Sequence, residues 1–288
     1  MKKVVVITGP TAVGKTDLSI RLAKRFNTEI INADASQFRR DLNIGTAKIT
    51  KKDMDGVTHH LIDILDASDE FSIKDYQVKG RELIEKIDMP FIVGGSGLYI
   101  NALVTDYNLE SSSRDKSRFK DYSNEDLYNW LLELDSQAAQ KIHPNNRRRV
   151  ERYIELALEQ GEVKVTPPVE LYDTLTICLM REREILYDRI NKRCDIMFDA
   201  GWVDEAIDLR NKGILLNNIK DIGYSDIGKY LDNLITLDEV KETIKQKTRH
   251  YAKRQITWFK NKMNCVFYDL DNDNEESLIE MIKDFLKK

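Results

Sequence analysis

Two glycines, a lysine and a threonine at fixed spacing near the start of the chain form a phosphate-binding pattern. The segment follows a short apolar run and consists of Gly9, Pro10, Thr11, Ala12, Val13, Gly14, Lys15 and Thr16. Glycines at both places let the backbone wrap closely around phosphate oxygens with its N–H groups pointing inward. Lys15 supplies a positive charge, and the Thr16 hydroxyl can ligate Mg²⁺ at the start of the following helix. The pattern therefore predicts a site for a phosphorylated ligand.

An acid and two further polar residues follow apolar runs later in the chain. Asp34 comes directly after the run at 29–32, so we expect it at the carboxyl edge of a parallel sheet, beside the phosphate loop. A carboxylate there can accept a proton from a nucleophile or hold Mg²⁺ through water; an Asx-turn or helix cap is the alternative. Gln37 can read the polar edge of a ligand. Ser96 either faces the same crevice or caps the helix predicted over 98–103.

The phosphate loop alone does not distinguish a kinase, an ATPase and other enzymes that bind phosphate esters. Hydrolytic and motor proteins with this loop usually carry an Asp at the end of an apolar strand, where it positions Mg²⁺. Here the apolar run at 91–93 continues into Gly94 and Gly95 with no such Asp. This absence disfavours an ATPase.

The elements that must position these residues alternate between strand and helix. Strands are predicted at residues 4–7, 29–32, 61–64 and 90–93. A helix is predicted after the phosphate loop, and another where apolar residues recur at helical spacing over 73–87. This βαβ rhythm predicts an α/β fold, a parallel sheet flanked by helices like that of the phosphate-loop NTPases.

The pattern changes near residue 106 and returns to strand at 174–180. A serine-rich connection comes first, and then helices are predicted over 124–134, 136–142 and 146–159. Beyond the returning strand we expect a helix over 182–200, a basic helix ending at Lys262, a strand over 265–268 and a closing helix. We therefore expect a catalytic core in two parts, 1–106 and 171–288, with a small helical insertion domain at 107–170.

The composition is that of a globular protein, with 41% hydrophobic and 33% charged residues. No apolar run approaches the roughly 20 residues of a membrane span, and no signal peptide precedes the phosphate loop. We therefore expect a cytoplasmic protein without a membrane partner. The cysteines, Cys178, Cys194 and Cys265, are scattered without zinc-site spacing, so reduced thiols are expected.

Positive charge is concentrated in two segments, although the formal net charge is −4. Residues 243–264 contain seven basic residues and no acid: Lys245, Lys247, Arg249, Lys253, Arg254, Lys260 and Lys262. A second cluster comprises Arg147, Arg148, Arg149 and Arg152. Such segments suit a polyanionic partner held at defined places. A solvated helix face is the alternative.

In order and spacing, the motifs of this chain resemble those of the bacterial tRNA dimethylallyltransferases, also called tRNA isopentenyltransferases. They are GPTAVGKT, NADASQ, NIGTAK, HHLIDI, VGGSGLYI, HPNNRRRVERYIE, REILYDRINKR, IGY and TRHYAKRQITWFK. The resemblance covers essentially the whole chain. It implies transfer of a dimethylallyl group from dimethylallyl diphosphate to N6 of the adenosine at position 37 of tRNA, 3′ of the anticodon. It also implies Mg²⁺ as cofactor, the tRNA anticodon stem-loop as partner, and a monomer.

The resemblance also implies roles for individual residues. Asp34 matches the base that takes a proton from the adenine amine, and Ser96 belongs to the same catalytic set. Lys15 and the loop, with Mg²⁺ at Thr16 and through water at Asp34, stabilise the leaving diphosphate. Arg183 aligns with an arginine that helps hold it. The residues implied in tRNA contact are Asp34, Ala35, Ser36, Gln37, Ser96, Arg118, Arg149, Arg152, Lys253 and Arg254.

The chain departs from the family pattern at three positions. Ala35 stands where most relatives have Ser, Ser96 where they usually have Thr, and Arg148 where the motif has Gln. Three alternatives stay open: a phosphate-loop kinase of a small metabolite, prenyl transfer to a free adenine nucleotide, and a non-enzymatic RNA-binding protein. The last of these leaves the phosphate loop and Asp34 without a function.

Overall fold

The computed structural model describes residues 1–66, 69, 71–106, 118–160 and 169–288, with Gln160 by its backbone alone. The chain divides into two compact units. One, the sheet unit, comprises Met1–Leu109 and Val169–Lys288; the other, the helical unit, is Glu110–Pro168. Each unit is described by itself below.

Among the described residues, six strands form the sheet of the sheet unit. In chain order they are β1 (Lys3–Thr8), β2 (Ile30–Asn32), β3 (His59–His60), β4 (Phe91–Val93), β5 (Asp173–Met180) and β6 (Val266–Asp269). Their spatial order is β3-β2-β4-β1-β5-β6, and all pairs are parallel. In β1, Val4 and Val6 enter one hydrophobic core while Val5 and Ile7 enter another. Both faces of the sheet are therefore covered, as a parallel sheet requires.

The helices of the described residues follow in chain order. They are α1 (Lys15–Phe26), α2 (Ile73–Lys86), α3 (Gly97–Val104), α4 (Asn124–Leu134), α5 (Ser136–Gln140), α6 (Arg147–Gln160), α7 (Arg183–Asp199), α8 (Trp202–Asn211), α9 (Tyr224–Leu231), α10 (Leu237–Lys262) and α11 (Glu275–Lys287). Reciprocal capping boxes begin three of them, for example Thr236 with Glu239 at α10. Within the described ranges, no helix has the length and apolar character needed to cross a membrane.

The predicted α/β class with its parallel sheet is confirmed, but the strand predicted over 61–64 is wrong. The third strand is only His59–His60. Leu61 and Asp63 have φ values of 60° and 54°, in the left-handed region, where a strand cannot continue. The Leu61 carbonyl instead accepts a hydrogen bond from Asn32 Nδ2 at 2.9 Å. The apolar residues of this segment therefore pack from a loop.

The helical unit has a core of its own, formed by α4, α5 and α6. Buried residues shared among these helices and the preceding segment are Phe119, Leu127, Leu131, Ala139, Ile142, Val150 and Ile154. Arg147 holds the segment before α4, because its guanidinium donates to the carbonyl oxygens of Phe119 at 2.5 Å and Tyr122 at 2.8 Å. This member of the second basic cluster therefore has a structural role.

A further core joins α7, α8, α9 and α10 on the sheet unit, and the half-buried carboxylate of Glu205 ties it to a loop. Glu205 on α8 accepts backbone N–H bonds from Asn43 at 2.8 Å, Ile44 at 2.7 Å and Gly45 at 3.0 Å. It also accepts the hydroxyl of Tyr224 at 2.7 Å. The loop 43–47 contributes Thr46 to the cavity beside the phosphate loop, so Glu205 fixes one wall of that cavity.

We expect Glu205→Gln to lower the free energy of unfolding by about 1–3 kcal/mol, because an amide group cannot replace both carboxylate oxygens as acceptors. Urea unfolding followed by circular dichroism measures the change. The control is Glu82→Gln, an exposed glutamate of α2, which should change stability by less than about 0.5 kcal/mol. Equal stability of the two variants would contradict this role of Glu205.

Candidate active site

The phosphate loop joins the central strand β1 to α1, and its backbone takes conformations that favour glycine. Gly9 and Gly14 have φ values of 142° and 115°. A Cβ atom on Gly9 would lie 2.5 Å from the carbonyl oxygen of Leu179 on β5, so only glycine fits there. In the described part of the chain, the N–H groups of Gly14, Lys15 and Thr16 have no hydrogen-bond acceptor. They lie at the start of α1 and are available to an anion.

Side chains from distant elements hold the backbone of this loop. Gln255 of α10 accepts the Thr11 N–H at 2.8 Å and donates to the Gly95 carbonyl at 2.8 Å. Arg181 donates to the Val13 carbonyl at 2.8 Å and Arg189 to the Ala12 carbonyl at 2.9 Å. These contacts stabilise the conformation of the loop. Gln255 also connects the loop to the glycine-rich turn after β4.

Lys15 is half-buried, and its ammonium group is turned back onto the loop that it follows. Its ammonium group donates to the carbonyl oxygens of Gly9 and Pro10, each at 2.9 Å. Burial lowers the pKa of Lys15 to about 8, with Asp34 opposing the change and Arg193 adding to it. A bound anion would compensate this buried charge, because an opposite charge nearby favours the protonated amine.

Asp34 follows β2 and lines the same cavity as Lys15 and Thr16. Its Oδ1 accepts the Ser36 N–H at 3.2 Å, so Asp34 caps the short 3₁₀ turn Ala35–Gln37. The cap that we considered as an alternative is therefore present, and the carboxylate still faces the cavity. Gln37 lines this cavity as well.

Two cavities that share lining residues lie beside the loop. The first, of about 430 Å³, is lined by the loop, Asp34, Gln37 and several cationic or polar side chains, among them Arg189, Arg193, Tyr251 and Gln255. The second, of about 320 Å³, shares Thr11, Ala12, Thr46, Arg193 and Tyr251 with the first and adds Trp202, Asp221 and Arg254. The two cavities are therefore neighbours, with residues of the phosphate loop and of α10 in both linings.

Ser96 begins α3, but its side chain makes no capping hydrogen bond there. The hydroxyl lies near the side chain of Tyr251, a residue that lines both cavities. Burial raises the pKa of Tyr251, and the charges of Asp34 and Asp221 add to the rise. The phenol therefore stays protonated. Ser96 is thus connected to the crevice through Tyr251, while Ala35 packs against the hydrophobic core.

Of the arginines on α7, the one predicted from the sequence is not the one that reaches the cavity. Arg183 is exposed and lies over the ring of Tyr187, with 5.1 Å from its Cζ to the ring centroid. Arg189 and Arg193 line the first cavity. Sequence reasoning missed both, although their i, i+4 spacing on the predicted helix 182–200 places them on one face.

The basic residues of α10 divide into two groups. Three have internal partners: Lys245 pairs with Asp195 at 2.9 Å, Lys247 with Asp226 at 2.7 Å, and Arg249 donates to Asn191 at 2.6 Å. By contrast, Lys253 and Arg254 are exposed. Arg254 lines the second cavity and lies 5.7 Å from the ring centroid of Tyr251. Arg254 therefore places an exposed guanidinium group beside the second cavity.

On the same helix, Trp258 packs on the start of α3. A Cβ atom on Gly97 would lie 2.2 Å from Trp258 Nε1. The indole therefore leaves no room for a side chain at position 97.

Within the helical unit, the predicted RNA-contact arginines have different surroundings. Arg118 and Arg149 are exposed and lie over their neighbouring rings, Phe119 at 5.8 Å and Tyr153 at 5.9 Å. Arg152 is half-buried and pairs with Glu155 at 3.4 Å. Arg148 is also exposed. The exposed guanidinium groups on this unit are those that a polyanion can reach.

Comparison with known proteins gives a consistent result for sequence and structure. A profile of the family described as IPP transferase matches residues 37–262. A protein of Halalkalibacterium halodurans named tRNA dimethylallyltransferase is 43% identical, with 97% of this chain and 95% of the relative covered. Another of that name, from Staphylococcus haemolyticus, is 39% identical over 99% of this chain and 92% of the relative.

Solved structures agree. The tRNA isopentenylpyrophosphate transferase of Bacillus halodurans has a TM-score of 0.77 and 42% identity, covering 100% of this chain and 97% of that one. A eukaryotic dimethylallyltransferase acting on tRNA has a TM-score of 0.85 and 28% identity, covering 100% and 80%. Together with the phosphate loop and the carboxylate beside it, these matches show that the chain is a prenyltransferase of the IPP transferase family, the tRNA dimethylallyltransferases.

Proposed function

We propose that this enzyme transfers the dimethylallyl group of dimethylallyl diphosphate to N6 of adenosine 37 in the tRNA anticodon loop. The observation that carries the proposal is the placement of Lys15, the free N–H groups of the phosphate loop and the Asp34 carboxylate around one cavity. Lys15 and the N–H groups can bind a diphosphate, and the Asp34 carboxylate can accept the proton that a nucleophile loses. The family and the names of the relatives support the prenyl group and the tRNA acceptor.

In the proposed reaction, the adenine N6 attacks C1 of the dimethylallyl group. The C–N bond forms as the C1–O bond breaks, and the diphosphate leaves with the bonding electron pair. Asp34 accepts the proton that N6 loses. Lys15 and the N–H groups at the start of α1 stabilise the negative charge on the departing diphosphate. Arg189 and Arg193, which line the cavity, would also stabilise this negative charge. Arg183 would do so in the role that the family resemblance implies.

We further propose Mg²⁺ as the cofactor, held by the Thr16 hydroxyl and, through water, by Asp34. The donor set fits a hard cation that keeps several waters and takes its remaining ligands from substrate phosphates. Among the described residues, no group of three or more His, Cys, Asp or Glu forms a complete metal site, which also suits a substrate-borne ion. When bound, Mg²⁺ supplies positive charge to the leaving diphosphate.

For the tRNA, we propose that the adenosine leaves its stack and enters from the side of α10. Asp34, Ala35, Ser36, Gln37 and Ser96 would surround the base. Lys253 and Arg254 would contact the tRNA backbone. Arg118, Arg149 and Arg152, in the insertion domain proposed at 107–170, would contact the tRNA as well. We propose a monomeric enzyme, as the resemblance to the family implies.

One assay separates this proposal from its alternatives. The protein is incubated with labelled dimethylallyl diphosphate and Mg²⁺, together with tRNA, AMP or no acceptor. We expect label in tRNA alone. Label in AMP would favour the free-nucleotide enzyme. No transfer to either acceptor, with ATP and not the prenyl diphosphate raising the melting temperature, would favour the kinase.

We expect Asp34→Asn to lower kcat by about 10²–10⁴-fold, the usual contribution of a positioned base. Asparagine keeps an acceptor for the Ser36 N–H, so the turn should persist and tRNA affinity should change little. Steady-state kinetics with tRNA and filter binding measure the two effects. The control is Asp41→Asn, a carboxylate that pairs with Lys212. Undiminished turnover of Asp34→Asn would remove Asp34 from the reaction.

We expect Lys15→Ala to raise the Kd for pyrophosphate about tenfold to a hundredfold, because a hydrogen bond to a charged group contributes about 1.5–3 kcal/mol. Affinity for tRNA should stay within about threefold of wild type. Calorimetric titration with pyrophosphate gives the first value. Lys24→Ala, at the other end of α1, should bind pyrophosphate normally. An unchanged Kd in Lys15→Ala would place the anion elsewhere.

We expect the double variant Lys253→Glu/Arg254→Glu to bind tRNA more weakly and to reduce the slope of log K against log salt by about 2, one for each phosphate that is no longer neutralised. Affinity for pyrophosphate should not change. The matched control is Lys283→Glu/Lys287→Glu on α11, with the same change of charge. A folded double variant with wild-type tRNA affinity and salt slope would show that this end of α10 does not contact RNA.

A further inference from the structure

The turn that carries Asp34 is short, and on one side it is held by Asn32. The Asn32 side chain accepts the Asp34 N–H at 3.0 Å and donates to the Asp34 carbonyl at 3.1 Å. These bonds fix the backbone of Asp34 at the end of β2. They do not fix the following residues or the direction of the carboxylate.

On the other side, the turn is held by a residue far along the chain. The Ser36 hydroxyl donates to the carboxylate of Asp221, which precedes α9. The Ser36 N–H donates to Asp34 Oδ1 at 3.2 Å. Ser36 therefore contacts both carboxylates, one through its side chain and the other through its backbone. Because its hydroxyl is engaged with Asp221, Ser36 does not replace the hydroxyl that Ala35 lacks.

Asp221 belongs to a segment that the core holds rigidly. Gly223 has a φ of 110°, and a Cβ atom there would lie 2.2 Å from Trp202 Cζ2. The next residue, Tyr224, is fully buried and donates its hydroxyl to Glu205. A hydrogen bond to this segment therefore connects the far side of the Asp34 turn to a fixed part of the protein.

Asp221 also lies close to the reacting region. It lines the second cavity with Tyr251 and Arg254. Burial raises the pKa of the Asp221 carboxyl; the Ser36 hydrogen bond opposes this rise, and the charge of Asp34 adds to it. The two carboxylates are thus near enough to interact, with Ser36 between them.

We propose that Asp221 is a positioning residue for the transfer reaction: through the Ser36 hydroxyl it fixes the turn 34–37 and so directs the Asp34 carboxylate into the cavity. The inference rests on the proposed function, in which Asp34 is the base. Without the bond, only the backbone bonds of the turn, such as that from the Gln37 N–H to the Asp34 carbonyl at 3.1 Å, hold the peptide at Ser36, and its N–H can move away from Asp34 Oδ1. A displacement of about 1 Å at a reacting group costs as much as a hundredfold in rate.

A double-mutant cycle with Ser36→Ala and Asp221→Ala tests the proposal, using labelled dimethylallyl diphosphate and tRNA. We expect each single variant to lower kcat by about tenfold or more, with the KM of either substrate within about threefold of wild type. The double variant should lose no more than one single variant, because both remove the same bond. Asp221→Asn, which can still accept from Ser36, should keep kcat within about threefold of wild type.

The control for a merely structural effect is Asp226→Asn in the same region. Asp226 is buried and pairs with Lys247, so this variant should lower the melting temperature while kcat per folded molecule stays within about twofold. Three results would each overturn the proposal: additive losses in the cycle, unchanged kcat in the single variants, or a kcat of Asp221→Asn as low as that of Asp221→Ala. If the wild type still transfers the prenyl group to tRNA in that case, the proposed function is upheld. A wild type without transfer to tRNA would overturn both.

Discussion

The phosphate loop can bind an anion only if its backbone is held open, and three side chains from elsewhere in the sheet unit do this. Arg181 and Arg189 bind its carbonyl groups, and Gln255 binds the Thr11 N–H. The N–H groups of Gly14, Lys15 and Thr16 have no acceptor within the described residues. These three contacts stabilise the conformation that the glycines of the loop permit.

Gln255 also connects the phosphate loop to other parts of the site. It lies on α10, the helix whose exposed cations are the proposed tRNA contacts, and it also binds the Gly95 carbonyl beside Ser96. The helix that would hold the acceptor therefore contacts both the loop that would hold the donor and the turn that follows β4. Because Tyr251 and Arg254 project from the same helix into the cavities, the two substrates would meet against one rigid element.

Much of this arrangement could be predicted from the sequence, because local patterns determine it. Residues 9–16 have one conformation suited to their glycines, and Asp34 follows a strand whose neighbours are fixed by parallel pairing. The strand predicted over 61–64 failed because apolar residues satisfy a loop as well as a strand; the backbone turns there at Leu61 and Asp63. Periodicity carries no information about such a turn.

Long-range partners were beyond prediction for a different reason. A sequence does not show that Lys247 pairs with Asp226 or that Arg147 holds the carbonyl groups before α4. Similarly, Arg183 was selected by motif, whereas Arg189 and Arg193 reach the cavity because of how α7 lies on the sheet. Ser36 and Asp221 are separated by 185 residues, and only the folded chain brings them together.

In the proposed reaction, one cavity couples the departure of diphosphate to the alkylation of an adenosine in tRNA. The most direct test measures pyrophosphate release and maps the modified nucleotide by mass spectrometry of nuclease-digested tRNA in the same reaction. We expect one pyrophosphate for each N6-dimethylallyl adenosine, with that nucleotide found only at position 37, and no pyrophosphate release when guanosine replaces the adenosine. Pyrophosphate release without tRNA, or the prenyl group on another nucleotide, would contradict the proposed reaction.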